Sequence, residues 1–391
     1  MDRHEAQEEE EEELIPSLPW DVALNCLARV PRSHHGALSL VSKPIRSLLL
    51  SPIFYATRSA LNCTQPVIYI TLRNSQSELW FSLPLNSSAP LSPSPIPPPP
   101  VPFPGFHRGH TYALLGHDIY VMGGFSRSGD PPSKEVWILD CRFNRWRQGP
   151  TMRYYRRDAV AAVLDGKIYV MGGINVFRRP RCHNLPSSNW GEVLDPAVGI
   201  WEEISRPADA NSRIPVSDCK VVADKLYVGC GEVIGRTMQW WEYHRSRGRV
   251  WKRVNLPRML WSGSIIRRRI VDDDGDEEFQ DLQWCEGRIQ WVEAKEQGIW
   301  NTKDVNGSWL NILLPKTLAK VAALVATASG ELFLVCVHKR RQEAEFDYYT
   351  GCSRIEINKT TNESGELRLH ATSCWFQSVH CFNYSSSYYK L

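Results

Sequence analysis

The chain has 391 residues, which is enough for one large domain and a small second one. Hydrophobic residues make up 42% of the chain and charged residues 23%, proportions that are typical of globular proteins. The net charge of +3 is too small to indicate a nucleic-acid-binding protein, so we expect no nucleic-acid partner.

Residues 1–13 are rich in glutamate and are predicted to form a disordered acidic tail. An acidic start argues against a signal peptide, and no apolar run approaches the ~20 residues that a membrane span needs. The 11 cysteines are scattered without a C-x-x-C pair, which indicates free thiols in a reducing compartment. We therefore expect a cytoplasmic or nuclear protein that does not contact a membrane.

Residues 14–61 are predicted to form a small all-α module. Its first helix begins near Asp21, which suits the positive N-terminal end, and it ends before Pro31. Ser42 and Ser51 are predicted to cap two further helices, because each is followed by a proline in the first turn. Helices that are this few and this short bury only a small hydrophobic core. We therefore expect the module to pack against a partner or against the domain that follows.

Residues 62–387 read as one β domain, because short β-branched and aromatic runs replace the helical pattern. The clearest runs are Val67–Leu72, Ile119–Met122, Lys167–Met171 and Lys225–Val228. The segment 84–104 contains many prolines and cannot be a central strand. We interpret this Pro-rich segment as an extended loop that crosses the surface of the β domain.

A repeat runs through the β domain at a period of about 50 residues. The sequence IYVMGG occurs at 119–124 and at 168–173, LYVGCG follows at 226–231, and a tryptophan comes after each. We assign structural roles to the repeat positions Gly123, Gly124, Trp146, Gly172, Gly173, Trp201, Gly231 and Trp251. Period and order are typical of kelch repeats, each of which forms one four-stranded blade of a β-propeller. The glycines would allow close approach of crowded strands, and each tryptophan would fill the wedge between two blades.

Two later segments, 288–294 and 331–337, keep the turn signal before the strand but lack the glycine pair. Counted as degenerate repeats, they bring the propeller to about six blades. The first blade lacks its first strand, so we predict that Val379–Tyr384 helps complete it and leaves no free edge. The expected fold is therefore mainly β, a kelch-type β-propeller preceded by a small all-α module.

Residues 14–60 resemble the F-box, through Leu18-Pro19-x-Asp21, the apolar helix through Leu27, Val30-Pro31 and Leu40-Val41-Ser42-Lys43. With the repeats behind it, nearly the whole chain resembles the plant F-box/kelch-repeat family. By motif position, the apolar surface for the adaptor would consist of Leu18, Pro19, Leu27, Val30, Pro31 and Val41. For Leu27 and Val41, a role in holding the helices together is an equal alternative.

The resemblance implies a substrate receptor of an SCF-type cullin–RING ubiquitin ligase, in which the F-box docks a Skp-type adaptor and the propeller selects a target protein. Cullin and RING subunits would then be indirect partners, and they would supply the ligase chemistry. A kelch scaffold that recruits no ligase and a propeller enzyme are the alternatives.

No nucleophile elbow, phosphate loop or spaced set of metal ligands is present in the sequence, so we expect neither catalysis, nor a cofactor, nor a bound metal. His107 and His110 are three residues apart and would point to opposite faces of a strand. For target binding, arginines and aromatics of two loops are the candidates, because such residues are enriched at interfaces. They are Arg153, Arg156, Phe177, Arg178, Arg179 and Arg181.

Overall fold

The computed structural model describes the chain in segments that are separated by undescribed stretches. In the first 256 residues these are 14–73, 78–84, 94–98, 108–125, 132–173, 190–210, 214–222, 224–231, 238–244 and 250–256. Beyond them, the backbone is described for 265–271, 277–285, 288–294, 300–307, 319–326, 332–342, 345–361, 367–383 and 389–390. The chain divides into two compact units, Met1–Val67 with Pro84–Asn86, and Ile68–Leu83 with Ser87–Leu391. The first is called here the helical unit and the second the propeller.

From residue 14 onward, where its description begins, the helical unit contains four α-helices and one turn of 3₁₀-helix, Arg32–His34. The α-helices are α1 Trp20–Ala28, α2 His35–Leu38, α3 Lys43–Leu49 and α4 Pro52–Ala60. The Ser42 hydroxyl accepts the Ile45 N–H at 3.2 Å, so the predicted cap of α3 is confirmed. At α4, Ser51 occupies the predicted N-cap position and Pro52 the first turn, but the Ser51 hydroxyl makes no capping bond and instead donates to the Leu48 carbonyl at 2.7 Å.

One apolar cluster forms the core of the helical unit. Its buried members are Leu14, Ala23, Leu24, Leu27, Ala28, Ile45, Leu48, Leu49 and Phe54. They recur three or four positions apart on α1 and α3, which is the spacing that puts side chains on one face of a helix. Leu27 is only 6% exposed, so it belongs to this core and not to an adaptor-facing surface.

Three four-stranded antiparallel sheets follow the repeat pattern in chain order. Their strands are β4 Arg108–Leu115, β5 Asp118–Phe125, β6 Val136–Asp140 and β7 Arg145–Gln148; β8 Val160–Leu164, β9 Lys167–Met171, β10 Gly191–Asp195 and β11 Ile200–Ile204; and β12 Val216–Val222, β13 Lys225–Cys230, β14 Gln239–His244 and β15 Val250–Val254. Each sheet is a simple meander, so each is one propeller blade.

The next eight strands form two further meanders within a single sheet. They are β16 Ile265–Val271, β17 Glu277–Cys285, β18 Arg288–Ala294, β19 Trp300–Gly307, β20 Ala319–Ala326, β21 Leu332–Gln342, β22 Glu345–Thr361 and β23 Leu367–Asn383. The outer strands β19 and β23 pair in parallel, Asn306 with His370 and Gly307 with Ala371. The degenerate repeats therefore form two blades that share their outer edge.

The first blade combines three strands from the beginning of the propeller sequence with one from its end, in the order β24-β1-β2-β3. These are β1 Val67–Arg73, β2 Glu78–Pro84, β3 Ser94–Ile96 and β24 Tyr389–Lys390. Thr71 pairs with Lys390, so a C-terminal strand does complete this blade. The predicted segment, Val379–Tyr384, was wrong: through Asn383 it extends β23, where it pairs with β22. The Pro-rich segment is also more than a loop, because it supplies β3 as an edge strand, where proline is tolerated.

Along a strand, alternate side chains point to opposite faces of the blade and pack against the neighbouring blade on that face. On β5, Tyr120 and Met122 pack in a cluster with Ile168 and Val170 of the next blade, whereas Val121 faces the opposite way. Trp201 belongs to the first of these clusters, and Trp251 packs against the corresponding cluster of the following pair of blades. The apolar side chains that alternate along the strands therefore form the hydrophobic core between neighbouring blades.

The repeat glycines lie where the backbone at the end of a strand comes close to a crossover or to the next blade. Gly123, Gly124, Gly172, Gly173 and Gly231 all have positive φ, a conformation that other residues rarely adopt. A Cβ at Gly172 would lie 2.6 Å from Val216 Cβ, and one at Gly173 would lie 2.6 Å from Ala159 Cβ. For Gly172 and Gly173, the predicted close approach in a crowded region is confirmed.

The three repeat tryptophans make the same hydrogen bond in successive blades. Each indole Nε1–H donates to a carbonyl of the segment that joins the preceding blade to its own: Trp146 to Pro97 at 2.9 Å, Trp201 to Pro150 at 2.8 Å and Trp251 to Ser205 at 2.7 Å. The tryptophans thus fix the crossover between blades as well as filling the wedge.

Candidate functional site

The helical unit exposes apolar side chains at most of the predicted adaptor positions. Leu18 is 37% and Val41 67% exposed, Pro19 and Pro31 are also exposed, and Val30 is half-buried. Further exposed apolar side chains, which sequence reasoning missed, are Trp20, Val22, Leu40, Leu50 and Ile53. A solvent-exposed set of this size on a unit of about fifty residues is typical of a partner-binding surface.

Arg58 of α4 fixes the backbone at the end of α1. It is 3% exposed, and its guanidinium donates to the carbonyls of Ala28 at 2.5 Å, Val30 at 2.6 Å and Cys63 at 2.6 Å. Burial lowers the pKa of Arg58. Its three acceptors are neutral carbonyls, two of which lie at the C-terminal end of α1. Arg58 therefore holds Val30-Pro31, two of the predicted adaptor positions, in place from the inside.

His35 reaches the same carbonyl from another side. Its Nε2 lies 3.1 Å from the Val30 oxygen, and its ring meets the Phe54 ring edge-on at 5.2 Å. Burial lowers the pKa of His35 to about 4, while the bond to Val30 opposes that shift and the charge of Arg58 adds to it. A neutral imidazole whose Nε2–H donates to Val30 is therefore the form present near pH 7.

One end of the propeller collects the loops that could bind a target. In each antiparallel meander, the loop between the second and third strands and the crossover to the next blade lie at the same end. This loop end includes the crossover at 149–159, with its predicted contacts Arg153 and Arg156, and the described residues 205–210 and 214–215 of the next crossover. Gly173 also lies there, because the Arg157 N–H of the first crossover donates to the Gly173 carbonyl at 2.7 Å. Phe177, Arg178, Arg179 and Arg181 lie outside the described residues.

Arg156 cannot contact a target, contrary to the sequence-based expectation. Its side chain is 0% exposed, and its Nε donates to the equally buried Glu192 carboxylate at 2.8 Å. Its Nη1 also donates to the Gly172 carbonyl, and the second Glu192 oxygen accepts the Arg153 N–H at 2.8 Å. Arg156 therefore ties the crossover to the blade that follows, and the pair is structural.

Arg153 is exposed, as a contact residue would be, and aromatic side chains lie beside it in the sequence. The Lys134 ammonium stands 5.5 Å from the centre of the Tyr155 ring, and the Tyr154 hydroxyl donates to Glu203 at 3.1 Å. The Arg157 guanidinium lies 5.4 Å from the centre of the Phe125 ring. Cations held against aromatic faces are suited to contact with a protein partner.

The opposite end of the propeller brings His117, Asp118 and Asp140 together, with their ligand atoms within 4.8 Å of one another. Both carboxylates already bind arginines, Asp118 to Arg147 at 2.5 Å and Asp140 to Arg142 at 2.7 Å. Burial opposes ionisation of Asp140, but its bonds to Arg142 prevail and lower the pKa. Arginine side chains therefore neutralise both carboxylates of this group. His110 is not part of the group, and its Nδ1 lies 3.2 Å from the Gly123 carbonyl oxygen.

Comparisons with known proteins match both units. The F-box domain model matches residues 15–57, and the FKB95, Kelch-repeats domain model matches residues 70–379, well over half of the chain. This chain belongs to the F-box/kelch-repeat family. In the described part of this F-box/kelch-repeat chain, every helix is too short or too polar to cross a bilayer.

Relatives of this F-box/kelch-repeat chain occur in Arabidopsis thaliana. F-box/kelch-repeat protein At4g39590 is 39% identical over 49% of this chain and 48% of its own length. F-box/kelch-repeat protein At4g39580 is 31% identical over 72% of this chain and 75% of its own length. F-box/kelch-repeat protein At4g39570 is 27% identical over 93% of this chain and 88% of its own length. The chain thus spans about half the length of the first relative and most of the other two.

Sequence reasoning missed Arg58 and Glu192, two charged residues that organise these surfaces. Each left a signal. Arg58 follows Phe54 by four positions and so lies on the buried face of α4, where a charge needs partners. Glu192 interrupts β10, whose other residues up to Leu194 are buried. A charge within an apolar stripe indicates a buried partner, although the sequence does not say which one.

Proposed function

We propose that this protein is the substrate receptor of an SCF-type ubiquitin ligase. The observation that carries the proposal is the exposure of Leu18, Pro19, Pro31 and Val41, apolar side chains at positions of the matched F-box domain. Exposed apolar groups gain most from a partner that covers them, at about 25 cal/mol per Å² of buried area. A Skp-type adaptor is the partner that this surface fits.

The propeller is the target-binding part of the proposed receptor. Its glycines, tryptophans and the Arg156–Glu192 pair are all used in joining blades, which leaves the loop end for recognition. The protein itself would be no enzyme, and cullin and RING subunits bound through the adaptor would supply ubiquitin transfer. Arg153 and the aromatic residues next to it are the described candidates for contact with the target.

The proposal is tested by titrating the full-length protein with a Skp-type adaptor in a calorimeter. The Leu18→Ala/Pro19→Ala double variant should bind at least about tenfold more weakly than the wild type, because truncating central interface residues costs more than about 1 kcal/mol. Val198→Ala/Ile200→Ala is the matched control. It removes two apolar side chains that are 64% and 58% exposed on a propeller blade, and its affinity should be unchanged.

Failure of the wild type to bind the adaptor would overturn the proposal. The protein would then be a kelch scaffold whose helical unit is only similar to an F-box. Equal weakening in the double variant and in the control would also contradict it, because the apolar positions of the F-box would then have no special role.

A further inference from the structure

The segment 61–66, between α4 and β1, is attached to the rest of the helical unit at two points. At the first point, the Cys63 carbonyl accepts the Arg58 guanidinium at 2.6 Å, and the Cys63 N–H donates to the Arg58 carbonyl at 2.9 Å. At the second point, the side-chain oxygen of Gln65 accepts the N–H of Arg32 at 3.0 Å, across 33 positions of the sequence. The packed helical unit therefore continues beyond the last residue of α4.

The Gln65 side chain caps the 3₁₀ turn Arg32–His34. The first N–H groups of a helical turn have no acceptor within the turn. A side chain of the residue before the turn usually supplies that acceptor, but here this residue is Pro31, and it makes no capping hydrogen bond. Gln65 therefore takes over the cap from a distant part of the chain.

The capped turn connects two parts of the proposed adaptor surface. Val30 and Pro31 come directly before it, whereas Leu40 and Val41 follow it after the short helix α2. Leu40 is 77% and Val41 67% exposed, the highest values among the large apolar side chains described in the helical unit. A change in the direction of the chain at the turn would move one part of the surface relative to the other.

The bonds to Gln65 and to the buried side chains nearby have separate tasks. Arg58 and His35 both contact the Val30 carbonyl, so they fix the chain before the turn. Gln65 binds the N–H of Arg32, the residue at which the turn begins. Gln65 is itself half-buried, so removal of its oxygen would leave a backbone donor without this acceptor in a partly buried place.

We propose that Gln65 is a positioning residue for adaptor binding, which acts through the Arg32 N–H. This inference rests on the proposed receptor function, because it concerns the same apolar surface. The matched F-box domain model covers residues 15–57 and ends before Gln65. The adaptor-binding module of this chain accordingly extends past that model, to residue 65.

The test compares two substitutions of Gln65 in the full-length protein, each titrated with a Skp-type adaptor in a calorimeter. Gln65→Met keeps the length of the side chain but removes the acceptor. It should weaken binding about three- to tenfold, as expected for loss of a helix cap whose turn must then be ordered on binding. Gln65→Glu keeps an acceptor oxygen at the same position and should bind within about twofold of the wild type.

A control variant and a second measurement separate positioning from general stability. Thr64→Val alters the exposed neighbour of Gln65 and should bind the adaptor like the wild type. Hydrogen exchange of the amides at 30–36, measured by mass spectrometry without adaptor, should be faster in Gln65→Met than in the wild type and Gln65→Glu. A role in stability alone would lower the melting temperature of the helical unit and leave the affinity of the folded protein unchanged.

Equal adaptor affinity of Gln65→Met and the wild type would overturn the assignment, as would a Gln65→Glu variant that binds as weakly as Gln65→Met. Failure of the wild type to bind the adaptor would refute the receptor function, and with it the part of the inference that concerns the adaptor. Unchanged exchange in Gln65→Met would instead refute the role of Gln65 in the turn, so the two failures are distinguishable.

Discussion

Among the residues whose burial is described, the helical unit and the propeller each bury one arginine, and they satisfy its charge differently. Arg58 in the helical unit donates to three neutral carbonyls, whereas Arg156 in the propeller binds the buried carboxylate of Glu192. The carbonyls under Arg58 belong to backbone whose outer side carries proposed adaptor contacts. The partners of Arg156 belong only to the junction between blades. Arg58 therefore supports a proposed binding surface, whereas Arg156 is buried at the junction between blades and does not contribute to a binding surface.

Glu192→Gln should give the largest effect. It leaves the Arg156 charge buried without a carboxylate, which costs about 3–5 kcal/mol in free energy of unfolding. Chemical denaturation followed by tryptophan fluorescence measures this cost, since the repeat tryptophans lie between blades. Glu202→Gln, an exposed glutamate on β11, is the control and should change stability by less than about 0.5 kcal/mol.

The double variant Arg156→Met/Glu192→Leu sharpens this prediction. Replacing a buried ion pair by apolar residues is often nearly neutral, so the double variant should recover part of the loss. Recovery would be incomplete, because the Gly172 carbonyl and the Arg153 N–H also lose their partners. A double variant less stable than Glu192→Gln would contradict the assignment of the loss to an unpaired charge.

Arg58→Met should have the second largest effect, confined to the helical unit. It leaves three carbonyls without their donor and should cost about 2–4 kcal/mol of local stability. Hydrogen exchange of the amides in α1 and α4, measured by mass spectrometry, reports this loss. Adaptor affinity should fall as well, because Val30-Pro31 loses its anchor.

Arg29→Met is the control for that experiment. Arg29 is exposed and donates to a single carbonyl, that of Asn25, at 2.8 Å. Its replacement should leave both exchange and adaptor affinity close to the wild type. If the two variants behave alike, the buried guanidinium has no special part in shaping the surface.

The smallest effect concerns pH and His35. Its pKa in the folded protein is about 4, below the ordinary value of 6.5. The unfolded chain therefore takes up the proton first as the pH falls, so stability is complete above pH 6.5 and is lost towards pH 4. Exchange rates of α1 amides measured across that range should rise in the wild type and rise less in His35→Gln.

The repeat could be predicted from sequence because its markers are local and have one physical use. A glycine pair that ends a strand and a tryptophan at a fixed distance can serve few purposes besides joining blades. The F-box helices were predictable for a similar reason, since Ser42 and the prolines act within one turn. Leu27 and Val41 could not be separated by spacing alone, and only the packed unit places Leu27 in the core and Val41 at the surface.

The functional residues of the loop end were harder to predict, because their roles depend on partners far apart in the sequence. Arg153 and Arg156 look alike in RYYRR, yet Glu192, some forty residues on, decides that one of them is buried. The strand that completes the first blade was misassigned for the same reason. Several segments near the end of the chain can form an extended strand, and only the pairing of Lys390 with Thr71 shows that Tyr389–Lys390 is the one that joins the first blade. Such choices are made by the whole fold.

The pairing of β24 with β1 also bears on how the protein is made. On the ribosome, β1 emerges early, yet its partner β24 is synthesised only after all the other described strands of the propeller. The helical unit, built from local contacts, can fold and become accessible to the proposed adaptor while the propeller is still being translated. The ring cannot close until synthesis has passed Lys390, so chains truncated before that point keep an open strand edge, which chaperones and proteases can recognise.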